Sequence, residues 1–158
     1  MYKRQDLTSR SAESYYINKS DLTSKRIRRK RPGTIGISAA IKNKYNVETV
    51  PHILCNGFSK EETEDALIEL NYLGIDNVLA VRGDDLRKDD HNLNSKPGNK
   101  YASDLVHQIK NMNNGNYLED LVESTPSDFC IGVGGYPEKH FESADMLTDI
   151  KYLKKIKN

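Results

Sequence analysis

Residues 77–85 read NVLAVRGDD. The four apolar residues 78–81 form a continuous run that Arg82, Gly83 and two aspartates follow at once. A short apolar run without polar alternation is typical of a strand buried on both faces, as in a parallel sheet. The charged residues then lie at the carboxyl end of the strand, where α/β proteins collect the groups that contact ligands.

Helix-like and strand-like segments alternate on both sides of this stretch. Helices are predicted over 33–46, 59–74, 102–115 and 143–157, and strands over 49–55, 75–81 and 128–136. The alternation predicts an α/β fold in which about three parallel strands are covered by their helices. The long polar segment 82–100 exceeds the usual short connection, and loops of that length tend to be functional.

Local signals mark the helix ends and their inward faces. Ser59 and Glu62 are spaced as a capping box, Gly74 stops the same helix, and Ser103 is the expected N-cap of the next one. Helical spacing predicts the following inward residues: Ile37, Ala40, Ile41 and Tyr45 in the first helix, Ala66, Leu67, Leu70 and Leu73 in the second, and Leu105, Ile109 and Met112 in the third.

Length and composition indicate one polar globular domain. The chain has 158 residues, 36% hydrophobic content, and 24 Lys and Arg against 23 Asp and Glu. No apolar run approaches the roughly 18 residues that cross a bilayer, and the N-terminus lacks a signal-peptide core, so a cytoplasmic location and no membrane association are expected. Cys55 and Cys130 lie in apolar runs and are expected to be reduced thiols in the core.

Residues 1–31 differ from the rest of the chain, with ten Lys or Arg against three Asp or Glu. A flexible, solvated basic segment is predicted here, followed by the α/β domain over 32–158. An interaction surface for nucleic acid or an anionic membrane is the alternative. Because aromatic residues are few and no nucleic-acid-binding fold follows, we expect no nucleic-acid partner.

Arg82 and Asp84 are the first candidate functional pair. A guanidinium fork suits a phosphate, and a carboxylate can stabilise a cation or accept a hydrogen bond from a ligand. Gly83 between them allows a ligand to approach the backbone closely. An Arg–Asp pair that merely closes the loop explains the same residues equally well.

Further candidates follow the other strands. His52 interrupts an apolar strand, where a core histidine is the plainer interpretation. Gly134 and its glycine neighbours weaken a strand in the way that close approach of another group requires, Tyr136 could pack on a flat ring, and His140 could reach a phosphate or ribose. A glycine-rich turn is the structural alternative. No P-loop, Ser/His/Asp triad or zinc-ligand spacing appears.

Tyr101 and Ala102 lie at a predicted helix N-terminus, where free N–H groups favour an anion. Ordinary helix capping explains most of this pattern. The residues alone therefore predict an α/β ligand-binding face suited to a flat, phosphate-bearing ligand.

Four segments together resemble the methylenetetrahydrofolate reductase family. They are RPGTIGISAAIKNKYNVETVPHILC (31–55), LGIDNVLAVRGDD (73–85), YASDLV (101–106) and DFCIGVGGYPEKHFE (128–142). Each motif is weak by itself, but their order and spacing are specific, and the likeness covers about residues 31–155.

The resemblance implies a (β/α)8 TIM barrel that binds FAD at the carboxyl ends of its strands. Such enzymes take a hydride from NADH or NADPH and reduce 5,10-methylenetetrahydrofolate to 5-methyltetrahydrofolate, in one-carbon and methionine metabolism. The implied FAD-site residues are His52, Arg82, Gly83, Asp84, Tyr101, Ala102, Gly134, Tyr136, His140 and Asp149. Asp84 is also the implied catalytic residue, because its charge would stabilise the cationic iminium form of the folate and lower the flavin's reduction potential.

The sequence also departs from the family pattern. A complete barrel takes about 250 residues, the segment carrying the family's general-acid glutamate is not recognisable, and Ile156 stands where a phosphate-contacting lysine is expected. We therefore expect a partial barrel, a fragment with little reductase activity alone. Its open sheet edges predict marginal stability or association, which leaves a homo-oligomer open. A half-barrel that binds flavin or nucleotide without catalysis is the alternative function.

Overall fold

The computed structural model describes most of the chain, with gaps at several loops. The described residues are 4–8, 13–19, 22–28, 32–83, 98–119, 124–136 and 138–157. Asp84 lies outside these ranges.

Six strands and four helices occur in the described residues. In chain order they are β1 Arg4–Leu7, β2 Glu13–Lys19, β3 Leu22–Arg28, α1 Thr34–Tyr45, β4 Glu48–Leu54, α2 Lys60–Tyr72, β5 Asn77–Val81, α3 Ala102–Asn113, β6 Cys130–Val133 and α4 Met146–Lys157.

Helix α2 begins and ends as its sequence predicts. The Glu62 N–H donates to Ser59 Oγ at 3.1 Å and the Ser59 N–H donates to Glu62 Oε2 at 2.8 Å, which completes the capping box. Gly74 has φ +68°. The Gly74 N–H donates to the Asn71 carbonyl and the Ile75 N–H to the Leu70 carbonyl, the paired bonds that end a helix at a left-handed glycine.

The N-terminus of helix α3 corrects the prediction that Ser103 is the N-cap. Tyr101 occupies that position with φ −126° and ψ 157°. Its N–H donates to Asp104 Oδ2 at 3.0 Å, so a carboxylate in the first turn accepts the hydrogen bond of the N-cap N–H. The helix therefore begins at Ala102, two residues earlier than a Ser103 cap would allow.

Four parallel strands form the main sheet, in the order β1-β4-β5-β6. His52 is in register with Leu79, and Leu79 with Gly132, so these three positions form one row across the sheet. The α/β class and the alternation of parallel strands with helices are confirmed, and the arrangement is that of part of a (β/α)8 barrel. Strand β6 is shorter than predicted, since it ends before Gly134.

Strand β1 was not predicted. Arg4 to Leu7 pair in parallel with Glu48 to Pro51. Strands β2 and β3 form a separate antiparallel hairpin. These strands lie within the basic segment 1–31, whose polar, Arg- and Lys-rich pattern gave no strand signal. The flexibility predicted for that segment stays a prediction.

One face of the sheet packs against the helices and holds the core. Ile53 of β4 and Val78 and Ala80 of β5 are buried there. The helices contribute the inward residues predicted for α2 and α3, among them Leu67, Leu70, Leu105, Ile109 and Met112. The other face, which carries His52 and Leu79, is only half-buried.

Helix α1 packs differently from its predicted face. Ser38 is the buried residue of the helix, and Ile35 and Ala39 pack against the core. Ala40 is exposed and Tyr45 is 62% exposed, so their predicted inward positions are wrong. Ser38 Oγ donates to the Thr34 carbonyl at 2.8 Å, so the buried hydroxyl is hydrogen-bonded. The prediction was based on the spacing of apolar residues and could not identify a buried serine.

Asn113 attaches helix α3 to the start of β6. Its Oδ1 accepts from the Phe129 N–H at 2.9 Å and from Ser127 Oγ at 2.8 Å, and its Nδ2 donates to the Phe129 carbonyl at 3.0 Å. One side chain thus pairs with both backbone groups of Phe129. This arrangement fixes where β6 enters the sheet.

The two cysteines differ in environment, and we expect them to differ in reactivity. Burial raises the pKa of the Cys55 thiol to about 11, and the negative charge of Asp104 adds to the rise. Cys130 is exposed. Because the thiolate is the reactive form, a thiol reagent near pH 8 should modify Cys130 alone in the native protein and both cysteines in denaturant. Two fast equivalents from native protein would contradict the buried position of Cys55.

Candidate functional site

The carboxyl ends of β4 and β5 are joined into one edge. The Cys55 N–H donates to the Val81 carbonyl at 3.1 Å, and the Asn56 N–H to the Arg82 carbonyl at 3.0 Å. Asn56 Nδ2 also donates to the Gly83 carbonyl at 3.3 Å. The pairing of the two strands therefore continues past their ends and holds Arg82 and Gly83 in place.

Gly83 adopts a backbone conformation that favours glycine, with φ +81°. A Cβ there would lie 3.5 Å from Leu54 Cδ2, an ordinary contact, so the reason for glycine is the positive φ. Asp84, the next residue, lies outside the described residues, so its predicted site role stays a prediction.

Arg82 lies at the centre of the candidate site. Its Nη1 is 3.3 Å from Glu142 Oε1, and its guanidinium carbon is 5.8 Å from the centroid of the Tyr101 ring. The second distance is within the range of a cation–π contact. The Arg82 and Glu142 side chains are 40% and 49% exposed, and an ion pair in that setting is worth only about 0–1 kcal/mol. An incoming anion could therefore replace Glu142 at little cost.

His140 connects this pair to the end of β6. The Glu142 N–H donates to His140 Nδ1 at 3.2 Å, which leaves Nε2 as the protonated nitrogen of the neutral ring. The His140 ring meets the Tyr136 ring edge-on, with the centroids 4.8 Å apart. Tyr136 is 56% exposed, so a large part of its surface is available to a flat ligand.

Asp149 fixes the segment that carries His140. Its carboxylate accepts hydrogen bonds from the His140 N–H and from Ser143 Oγ. These bonds, the one from His140 first, hold the pKa of Asp149 below its ordinary value. Bonds from the Thr148 N–H and hydroxyl lower the pKa of Asp145 in the same way at the start of α4.

A pH dependence of this segment follows from the two aspartates. A carboxyl whose pKa is lowered by folding stabilises the folded state above its unfolded pKa and loses that contribution as the pH falls. We therefore expect the attachment of α4 to His140 to be complete above the ordinary value of 3.8 and to weaken below it. The protection factors of the His140 and Thr148 amides, their exchange rates relative to the intrinsic rate at the same pH, should fall in that acid range, and Asp149→Asn should remove most of the change at His140. Exchange rates at both amides that follow only global unfolding would contradict this.

The glycines after β6 leave room above the sheet. Among the described residues, a Cβ at Gly135 would meet no atom within 4 Å, and one at Gly134 would meet only the Tyr136 ring at 4.0 Å. Gly132 is different, because a Cβ there would lie 3.1 Å from Leu79 Cδ1. Open space next to bare backbone at Gly134 and Gly135 is compatible with close approach of a ligand.

His52 contributes a polar atom that has no hydrogen-bond partner among the described residues. Its Nε2 is buried and makes no hydrogen bond to the residues the structure describes. It lies in the row with Leu79 and Gly132 on the half-buried face. Buried polar atoms are normally hydrogen-bonded, and a ligand on that face could supply the partner that this nitrogen lacks among the described residues.

Five of the predicted site residues are thus connected through one network: Arg82, Tyr101, Tyr136, His140 and Asp149. Gly83, Ala102 and Gly134 border it in the chain, and His52 lies on the adjoining face. Glu142 joins the network but was not predicted, since a lone glutamate two residues after His140 carries no recognisable signal. Asn56 was also missed, because its role depends on the neighbouring strand.

The fold is that of a partial (β/α)8 barrel, and this network lies at the carboxyl ends of its parallel strands, the edge where such barrels usually carry their sites. A sequence model of the family described as Methylenetetrahydrofolate reductase matches residues 4–157. The chain belongs to the methylenetetrahydrofolate reductase family. The match begins well before residue 31, where the motif resemblance started, and includes β1.

Individual relatives agree with the family match. The chain is 36% identical over 121 residues to methylenetetrahydrofolate reductase 1 of Schizosaccharomyces pombe, covering 77% of this chain and 18% of that protein. It is 34% identical over 131 residues to methylenetetrahydrofolate reductase (NADH) 1 of Arabidopsis thaliana, covering 77% and 20%. It is 35% identical over 124 residues to 5,10-methylenetetrahydrofolate reductase of Buchnera aphidicola, covering 77% and 35%.

The chain therefore spans about a fifth to a third of the length of these relatives. Within the residues that the structure describes, no helix is long and apolar enough to cross a membrane.

Proposed function

We propose that this chain forms the FAD-binding part of a methylenetetrahydrofolate reductase, which reduces 5,10-methylenetetrahydrofolate to 5-methyltetrahydrofolate with NADH or NADPH. The observation that carries the proposal is the Tyr101–Arg82–Glu142–His140–Tyr136 network at the strand ends. It combines a phosphate-binding fork with exposed aromatic rings, the two features that a flavin dinucleotide needs.

The residues fit such a cofactor on three points. His52 offers a buried nitrogen that lacks a partner among the described residues. Gly134 and Gly135 leave open space beside the backbone. Arg82 is held by an exposed ion pair that a phosphate can displace.

The chain's own residues would bind and orient the cofactor. Arg82 would bind a phosphate through its fork, while His140 would donate its Nε2–H to a phosphate or hydroxyl oxygen. Tyr136 and Tyr101 would cover flat ring surface, and Asp149 would hold His140 in position through its backbone N–H. Bound FAD would supply the hydride chemistry, accepting a hydride from the nicotinamide and transferring it to the folate.

Asp84 has a separate proposed role. As the first carboxylate after Gly83, it follows the fixed end of β5. Its negative charge would stabilise a cationic iminium form of the folate and disfavour extra electron density on the flavin. Because the chain covers only 18% to 35% of its relatives, we expect the 158-residue chain alone to show little folate reduction. Its location is proposed to be cytoplasmic.

The proposal is tested by two separate measurements. FAD is added to the purified chain, free flavin is removed, and the bound flavin is then reduced anaerobically with NADH or NADPH. Bleaching of protein-bound flavin by either nucleotide supports the reductase assignment, while reoxidation of that flavin by the folate should be slow in the 158-residue chain alone. A folded chain that binds FAD but is never reduced by either nucleotide would contradict the reductase proposal and favour a non-catalytic flavin binder.

A further inference from the structure

The β4–α2 turn, which comprises residues 55–60 and ends on the first residue of α2, is bonded to the segment that follows β5. The Asn56 N–H donates to the Arg82 carbonyl at 3.0 Å, and Asn56 Nδ2 donates to the Gly83 carbonyl at 3.3 Å. Two successive backbone carbonyls are thus held by one residue of the turn. Asn56 therefore fixes the backbone from which the Arg82 side chain extends.

The last residue of the β4–α2 turn holds the segment that leads into α3. The Lys60 carbonyl accepts from Gln108 Nε2 at 2.8 Å, and Gln108 Oε1 accepts from Asn99 Nδ2 at 2.6 Å. Asn99 and Gln108 are only 5% and 8% exposed, so breaking either bond would leave a buried polar group unpaired. Since Asn99 lies two residues before Tyr101, Gln108 fixes the backbone from which the Tyr101 ring extends.

The β4–α2 turn is itself firmly held. Ser59 forms the capping box with Glu62, and its carbonyl accepts from Thr63 Oγ1 at 2.8 Å, so the turn is bonded to the first turn of α2. Gly98 packs directly on it, because a Cβ there would lie 2.1 Å from the Phe58 carbonyl oxygen. A turn bonded to α2, to the end of β5 and to the segment before α3 keeps these parts at a fixed separation.

The contact between Arg82 and Tyr101 is too weak to hold the two segments together by itself. The guanidinium carbon lies 5.8 Å from the ring centroid, the Arg82 side chain is 40% exposed, and Tyr101 is 45% exposed. A cation–π contact between groups that are so exposed to water contributes little. The separation of the two side chains is therefore set by the bonds that hold their backbones.

We propose that the β4–α2 turn sets the distance between Arg82 and Tyr101, with Asn56 and Gln108 as the positioning residues. For the ligand, this inference rests on the proposed function, in which Arg82 binds a phosphate of FAD and Tyr101 covers flat ring surface. A ligand that contacts both groups binds better when they are already held at the separation it requires, because less conformational freedom is lost on binding. Asn56 and Gln108 then affect affinity through Arg82 and Tyr101.

The first test measures the geometry in the ligand-free chain. NMR should show nuclear Overhauser effects between the Arg82 side chain and the Tyr101 ring, and Asn56→Ala and Gln108→Leu should each weaken them. Asn56 is half-buried, so Asn56→Ala is expected to fold and decides the test by itself if Gln108→Leu does not.

Lys42→Met is the matched control. Lys42 Nζ donates to the Gly74 carbonyl and pairs with Glu48 at 3.3 Å, at the amino ends of β4 and β5. The variant also removes a side-chain bond to a backbone carbonyl, but at the end of the sheet opposite to the candidate site. It should leave the Overhauser effects unchanged.

The second test is a double-mutant cycle on FAD affinity. Asn56→Ala should weaken FAD binding roughly threefold to tenfold in the unmodified chain and have almost no effect in Arg82→Gln, where the side chain that Asn56 positions is already absent. Gln108→Leu should behave in the same way toward Tyr101→Leu. A merely structural loss would not depend on whether Arg82 or Tyr101 is present.

Weaker Overhauser effects in Asn56→Ala and Gln108→Leu but not in Lys42→Met, with an affinity loss that vanishes in Arg82→Gln, support the inference. Unchanged Overhauser effects in folded Asn56→Ala would overturn it, and so would an affinity loss that simply adds to that of Arg82→Gln. If the unmodified chain binds no FAD, the proposed function fails, while the ligand-free geometry still supports or overturns the positioning role.

Discussion

Gly98→Ala should destabilise the fold by about 3 kcal/mol, an overpacking effect at the upper end of the usual range. A Cβ at Gly98 would lie 2.1 Å from the Phe58 carbonyl oxygen, with the Cys55 carbonyl oxygen at 3.3 Å. The clash is with backbone, which cannot rotate away as a side chain would. Gly98 does not have a positive φ, so the expected loss is steric.

The measurement is denaturant unfolding, with the midpoint falling and the slope unchanged. Gly135→Ala is the matched control, since its Cβ would meet no atom of the described chain within 4 Å. It should stay within about 0.5 kcal/mol of the unmodified chain. Equal stability of the two variants would show that the segment before α3 does not pass as close to Phe58 as the structure has it.

Gly98→Ala should also affect the candidate site, because Asn99, the next residue, helps to position the start of α3. Asn99 Nδ2 donates to Gln108 Oε1 at 2.6 Å, and Gln108 Nε2 donates to the Lys60 carbonyl at 2.8 Å. These buried bonds attach the start of α3 to α2 and thereby position Tyr101. We expect the variant to lose ligand affinity together with stability.

Arg82→Gln should weaken FAD binding about tenfold to a hundredfold. A hydrogen bond to a charged group is worth about 1.5–3 kcal/mol, and each 1.4 kcal/mol is a factor of ten. Arg82→Lys keeps the charge but lacks the fork, so its loss should be intermediate. Lys44→Gln at the end of α1 is the charge-matched control, since α1 ends where β4 begins, far from the carboxyl edge.

Glu142→Gln, in contrast to the Arg82 variants, should strengthen FAD binding. Removing the carboxylate removes the ion pair that Arg82 makes with Glu142 at 3.3 Å, so FAD binding should tighten roughly twofold to fivefold, the range of an exposed ion pair. Flavin fluorescence titrations of the four variants give all these ratios. Equal affinities for Arg82→Gln and Lys44→Gln would place the phosphates elsewhere.

The local elements could be predicted because each depends on a few neighbouring residues. The Ser59–Glu62 capping box, the Gly74 stop and the buried residues of α3 are examples. Strand β1 could not be predicted in this way. Its four residues, Arg4 to Leu7, are mostly polar, and only pairing with β4 makes them a strand.

The candidate site also has parts that local sequence predicts and parts that only the folded chain shows. The strand-end position of Arg82 could be predicted from the apolar run before it, because that position is set by the fold class. The partners of Arg82 could not, since Glu142 is 60 residues away in sequence and contacts it only in the folded chain. Asn113 was missed because its hydrogen bonds reach Phe129, 16 residues on and beyond the loop that follows α3, so they form only in the folded chain.

The most direct test of the FAD-binding proposal is gel filtration of the purified chain after incubation with FAD, with the visible absorbance recorded across the protein peak. We predict that flavin co-elutes with folded protein and that Arg82→Gln retains markedly less of it. A peak that circular dichroism shows to be folded but that carries no flavin would contradict the assignment of the strand-end edge as a cofactor site.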